Sequence, residues 1–249
     1  MKPVYRFGVL LLVGVAVAVL LALLVKAPDA SAPWFTNGNG YDALVQAAAQ
    51  MNGRPDDDAA AFVRANGRLF ELVESALKLP SEMPLRMYSE TNSPLPDLAA
   101  FKTLALALRR KGKVAQERGA SAEAVTAYMN IIQLGQRVEH GPLIALLVGI
   151  AIEKVGLGGA EQLTPRLSPA EREDLAHQIE SFDRERLAFS EVALRERYFT
   201  RRITRNPFKI LMARWRLRGA MQKAEQKQQQ LSSDFHRVAQ ELRVISKAD

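Results

Sequence analysis

"PLIALLVGIAIEKVGL", residues 142–157, decides the fold. A stretch this apolar either crosses a membrane or runs through the middle of a helical protein. Its charge-free part extends only from Gly141 to Ile152, a dozen residues. A helix rises about 1.5 Å per residue and the hydrocarbon core is roughly 30 Å thick, so the run is too short to span. It therefore reads as a central helix, apolar on nearly every side because other helices surround it. Glu153 then sits at the edge of that apolar surface. A buried carboxylate needs a partner, and an arginine from the following helix is the natural one. Arg186 interrupts the apolar stripe there, and Glu153 and Arg186 are both expected as structural buried charges. A catalytic acid is the competing role for Glu153.

A second apolar run, residues 7–25, "FGVLLLVGVAVAVLLALLV", is long enough to cross a bilayer. It exceeds the usual apolar core of a signal peptide, about 7–15 residues. Ala30-Ser31-Ala32 has the small-x-small pattern of a cleavage site, but Pro33 follows, with a fixed φ and no N–H. The run is read as an uncleaved single-pass signal-anchor. Lys2 and Arg6 precede it, whereas Lys26 follows in the company of Asp29. The positive-inside rule then puts residues 1–6 in the cytoplasm. The linker 26–40 and everything after it lie on the far side of the inner membrane, in the periplasm.

Beyond the linker the pattern is helical to the end. The expected class is all-α: a transmembrane helix, a body of antiparallel helices over 41–165, and two long helices over 166–249 paired as a hairpin or coiled coil. Asn52-Gly53 closes a first helix begun at Tyr41, and a second starts at Asp56–Asp58, whose carboxylates suit a first turn, and ends by Pro80. Residues 80–96 carry four prolines and form a long connection, the loop best suited to a contact surface. Further helices follow Asp97 and Ser121, the second ending at His140-Gly141-Pro142 with His140 as a capping or surface residue. Ser168-Pro169-Ala170-Glu171 is a capping box with proline in the first turn, and opens a helix expected to run to Arg205. Its stripe passes through Leu175, Ile179, Phe182, Arg186, Phe189, Ala193, Glu196 and Thr200. Asn206-Pro207 opens the last helix. There Ile210, Arg214, Leu217, Met221, Ala224, Gln228, Leu231, Phe235, Val238, Leu242 and Ile245 keep an alternating spacing of four and three. A seam this narrow and long belongs to a coiled coil or a long docked helix, and 210–245 is a candidate oligomer contact.

In "KGKVAQERGASAEAVTAY", Gly112, Gly119, Ala124 and Tyr128 stand at the spacings of the small and aromatic positions of a tetratricopeptide repeat. Small residues let two helices approach, and the aromatic ring fills the gap between them. Residues 105–138 therefore resemble one tetratricopeptide-type hairpin. Ala115 stands where that pattern has an aromatic and Gln136 where it has a proline, and no second copy follows. The wider stretch up to "LVGIAIE" is similar to uncharacterised single-pass bacterial envelope proteins, a resemblance that implies no activity.

The chain carries +7, and residues 195–218 alone carry +8, with nine Lys or Arg against Glu196. Everything else sums to −1. Tyr198, Phe199, Phe208 and Trp215 are interleaved with these charges. Arg201, Arg202, Arg205, Lys209, Arg214 and Trp215 are the candidate contact residues, gathered around the Asn206-Pro207 corner. A solvated face, an anionic lipid or envelope polymer, and an acidic protein each fit such a segment. Nucleic acid does not, given the location outside the cytoplasm.

There is no cysteine and only three histidines, His140, His177 and His236, far apart in sequence, so no cofactor or metal is expected. No nucleophile–base pair, phosphate loop or dinucleotide fingerprint stands in the sequence. The sequence reads best as a membrane-anchored scaffold, not an enzyme, acting through contacts with other membrane or envelope proteins. A peripheral module holding anionic lipid or polymer through 195–218 is the alternative, and an enzyme using Glu153 the third reading.

Overall fold

The computed structural model describes residues 39–55, 58–84, 87, 95–203 and 207–248; the side chains of 207–211, 213, 214 and 248 are not part of that description. The apolar run 7–25, its flank and nearly all of the linker lie outside the described residues. Among the described residues the chain forms nine α-helices and no strand. They are α1 (Gly40–Ala49), α2 (Ala59–Ala65), α3 (Gly67–Leu77), α4 (Leu95–Glu117), α5 (Ser121–Glu139), α6 (Leu143–Leu163), α7 (Pro169–Arg184), α8 (Phe189–Ile203) and α9 (Pro207–Ala248).

Side-chain caps set the starts of α1, α2 and α7. The Asn39 side chain accepts from Tyr41 N at 3.1 Å. Asp58 accepts from Ala60 N and Ala61 N at 2.9 and 3.2 Å. Ser168 and Glu171 form the reciprocal capping box, with Pro169 in the first turn. Gly119, at φ +75°, makes the left-handed turn between α4 and α5 that a side chain would resist.

Two helices expected as single pieces are broken. The helix expected from Asp56 to Pro80 divides at Asn66, whose buried amide donates to Asn52 O at 2.8 Å and Phe62 O at 2.9 Å while its oxygen accepts from Asn52 N at 2.9 Å. The helix expected from Ser168 to Arg205 divides at 185–188 into α7 and α8. The last helix, by contrast, passes through Ser232-Ser233-Asp234 unbroken.

α6 occupies the centre, touching α4, α5, α8 and α9. Together with the turn after it, it is the one helix among the described residues long and apolar enough to cross a membrane, yet 61% of that apolar window is buried inside the fold. Its closest neighbour is α5, and glycines set the approach. A Cβ on Gly149 would stand 2.6 Å from Gly135 O and 2.5 Å from Glu139 Cγ; one on Gly135 would stand 2.7 Å from Gly149 O. Further along, Gly156 meets Tyr128 O, and the Tyr128 ring lies between Gly112 of α4 and Gly159 of α6. Numbers thus rise along α6 as they fall along α5.

The seam of α9 is covered by the chain itself. Ala224, Leu231, Phe235, Val238 and Leu242 are buried, packed on α6 and α7. Ion pairs fasten the edges: Arg243 holds Glu173 and Glu180, Arg237 holds Glu161, and Lys154 holds Asp234. Over that length the seam is occupied by its own body and is not free for a second copy.

Glycines on one helix are therefore not equivalent. Gly149→Ala forces a methyl against backbone and should cost about 1–3 kcal/mol. Gly158, with nothing within 4 Å of its Cβ position, should gain about 0.5–1 kcal/mol as alanine. Urea unfolding of the two variants would read the opposite signs; equal shifts would mean that the α5–α6 approach is looser than described.

Candidate functional site

Two polar assemblies hold the second half of the chain, and together they position a groove. The first is at the break between α7 and α8. Freed from helical geometry, Arg186 turns into the core with its side chain only 7% exposed. Its Nη1 and Nη2 donate to Glu153 Oε1 and Oε2 at 2.9 and 2.8 Å. Nη1 also reaches Glu139 Oε1 at 3.3 Å, and Nε reaches Asp183 Oδ1 at 3.3 Å. The guanidinium lies 5.0 Å from the centre of the Phe235 ring. Carbonyls orphaned by the break are also met: Gln136 donates to Phe182 O at 2.6 Å and Gln228 to Leu187 O at 2.8 Å.

This cluster holds two buried glutamates, at 1% and 0% exposure. They come from matched pieces, "GQRVE" in α5 and "GIAIE" in α6, each glycine backing the opposite helix's glutamate. Burial pushes the Glu139 carboxyl well above the usual carboxylate range, and the Glu153 charge pushes it further. Burial raises Glu153 too, but the Arg186 guanidinium opposes that. Glu139 is thus the more strongly raised of the pair, and its Oε2 has no hydrogen-bond partner among the described residues. Both catalytic-candidate oxygens of Glu153 are engaged by Arg186, in the interior and away from the groove described below.

The second assembly fastens α8 to the proline-rich connection. Arg195 grips Glu82 with both terminal nitrogens and donates to His140 O at 3.2 Å, while His140 Nδ1 lies 3.2 Å from Glu82 Oε1. Burial would raise Glu82, but the bonds from His140 and Arg195 outweigh it and hold it below the usual range. Glu196 accepts from Leu143 N at 2.8 Å, satisfying an orphan donor at the start of α6. So the first two residues of the basic segment serve the interior. Arg195 is 4% exposed and does not belong to any outward patch.

Beyond these fastenings the stripes of α8 and α9 face each other without closing. They leave a groove of about 630 Å³. Its apolar wall is Phe189 and Ala193 of α8 with Leu217 and Met221 of α9, all half-buried. Arg197, Arg201 and Arg218 line it as cations and Glu196 and Glu225 as acids, and Trp215, 70% exposed, is part of the lining. Of the residues expected from sequence, Arg201 and Trp215 come together here. Arg202 is exposed on α8 and is not part of the lining. Arg205 lies outside the described residues, as do the side chains of Lys209 and Arg214. Sequence reasoning did not single out Arg197 and Arg218, although Arg197 lies one turn before Arg201. Leu217 and Met221 were legible as seam positions, with no sign that this part of the seam is uncovered.

Arg197, Arg201, Arg202, Arg216 and Arg218 form no ion pair among the described residues, whereas Arg237 and Arg243 of α9 each hold two acids. No three His, Asp or Glu among the described residues are grouped to hold a metal ion. No family model matches the chain, and neither a curated protein nor a solved structure does.

The buried glutamates should separate by pH. Glu139 has a raised folded pKa, so its stabilising contribution is full below its unfolded value, near 4.5, and is lost as pH rises toward the folded value. Glu139→Gln keeps a donor to Glu153 without an ionisable proton, and should flatten that alkaline loss. Glu153→Gln leaves Arg186 without its main counter-charge and should cost about 3–5 kcal/mol at neutral pH. Denaturant midpoints between pH 5 and 9 would show both; identical pH slopes in wild type and Glu139→Gln would place the proton elsewhere.

Proposed function

We propose that this chain is a membrane-anchored helical scaffold acting through protein–protein contacts in the cell envelope, with the α8–α9 groove as its contact surface. The observation that carries this reading is the part of the seam that the fold covers only halfway. Leu217 and Met221, half-buried, continue the same spacing that is buried from Ala224 to Leu242, and Phe189 and Ala193 line the groove from α8. An apolar wall beside an exposed tryptophan and arginines that form no ion pair among the described residues is the composition of a protein contact, where Trp and Arg concentrate. The anchor rests on residues 7–25, and Lys2 and Arg6 favour a cytoplasmic amino terminus with the body in the periplasm. The α4–α5 hairpin, with Tyr128 between glycines, serves in this reading as a tetratricopeptide-like support for the surface.

Anionic lipid is the second reading, favoured by the unpaired arginines alone. A flat headgroup layer makes no use of a recessed apolar wall, so it ranks below a protein partner. A photoreactive residue placed at Leu217 or Met221 in living cells should give discrete protein adducts, with one at exposed Glu185 as control. Adducts to lipid alone would reverse the ranking.

The topology is tested separately. Reporter fusions at the carboxyl end should be active only outside the cytoplasm, and amino-terminal sequencing should find the chain uncleaved. A mature chain beginning near Pro33 would remove the anchor while leaving the groove reading intact.

A further inference from the structure

The groove of about 630 Å³ has an apolar wall of repeating helical spacing and arginines that pair with nothing among the described residues. We infer that its occupant is a single amphipathic helix of a partner protein, acidic along the flanks of its apolar stripe, lying as a third helix between α8 and α9. This rests on the reading of the groove as a protein contact and specifies the partner.

The apolar wall argues for a helix. Phe189 and Ala193 are one turn apart on α8, and Leu217 and Met221 one turn apart on α9. Two such ridges offer holes at the rise of an α-helix, which a stripe at i, i+3, i+4 and i+7 fills. Neither ridge is closed by the chain itself, since Leu217 and Met221 remain half-buried where Ala224 and Leu231 are fully covered.

Charge argues for the sign. Arg197 and Arg201 follow one edge of α8, and Arg218 stands on α9. Two acids line the same groove. Glu196 accepts from Leu143 N and from Thr200 Oγ1, so its carboxylate is already engaged. With Glu225 that makes two acids against three cations, and the lining stays net positive. A flank of glutamates or aspartates on the incoming helix complements these arginines, and a basic flank is repelled by them.

The test uses the full chain in neutral detergent, with Trp34→Phe so that Trp215 is the only tryptophan. Two synthetic helices share leucines at i, i+3, i+4 and i+7; one carries glutamates on its flanks and the other lysines. The glutamate helix should saturate with a blue shift of Trp215 emission and bind about tenfold or more tighter than its lysine twin, the gap shrinking with added salt. Arg197→Glu with Arg201→Glu and Arg218→Glu should reverse the preference while leaving the circular dichroism unchanged. A second variant, Leu217→Asp, should abolish binding of both helices. Equal binding of the twins, no binding of either, or an unreversed preference overturns the inference. So does a Trp215 shift with phosphatidylglycerol vesicles and with neither helix, which makes the surface a lipid contact. Protein adducts at Leu217 in cells together with failure of both helices would leave the contact standing and remove only the acidic helix.

Discussion

A buried guanidinium organises the second half of this protein. Arg186 is held by Glu153, Glu139 and Asp183 and packs on Phe235. It thereby joins α5, α6, α9 and the end of α7 at one point. Transferring such a charge from water without partners costs several kcal/mol, so the fold that buries it must supply acids in the right place. The two helices that do so approach through reciprocal glycines, Gly135 and Gly149, which leave room for each other's glutamate. The interruption between α7 and α8 stands at the same point: residues 185–188 leave the helix, and Arg186 among them is buried.

That break explains why the sequence was legible in one respect and not in another. Starts at Asp58 and Ser168 follow from side chains that bond the next turn, and a reader of sequence can see them. The seam of α9 follows from spacing alone, and it held through Ser232-Ser233-Asp234. The segment Glu185-Arg186-Leu187-Ala188 contains neither glycine nor proline. Its irregular backbone is stabilised from far away in sequence, by Gln136 on Phe182 O and Gln228 on Leu187 O. Asn66 is a similar case, satisfied by Asn52, although Asn66-Gly67 is a turn-prone pair. Local propensity has no access to such long-range bonds.

The polar residues that spoil an otherwise apolar stripe carried more information than the apolar ones. Arg186, Glu196 and Gln228 each stood at a stripe position, and each proves to be the tie between its helix and another. Arg186 meets the glutamates, Glu196 meets the first amide of α6, and Gln228 meets a carbonyl at the break. An interior seam position occupied by a polar side chain marks a specific long-range bond, because only a satisfied group is tolerated there. The sequence located these positions and raised an arginine as the natural partner of Glu153. It left the partners of Glu196 and Gln228 open, since a backbone group leaves no signature of its own.

The basic segment divides along the same line. Arg195 is drawn inside by Glu82, so its charge contributes to folding and not to any surface. Among the described residues Arg197, Arg201 and Arg202 of α8 and Arg216 and Arg218 of α9 form no ion pair, although the later part of the same α9 pairs Arg237 and Arg243 thoroughly. Solubility alone gives no reason for that division, since paired and unpaired arginines are both solvated at a surface. Leaving several cations unpaired beside an apolar wall keeps repulsion among them, a cost that a binding partner of opposite sign removes. The basic segment meets the α9 seam at Leu217, which with Met221 the fold only half covers, and there an acidic helix would relieve the repulsion and complete the packing in one step.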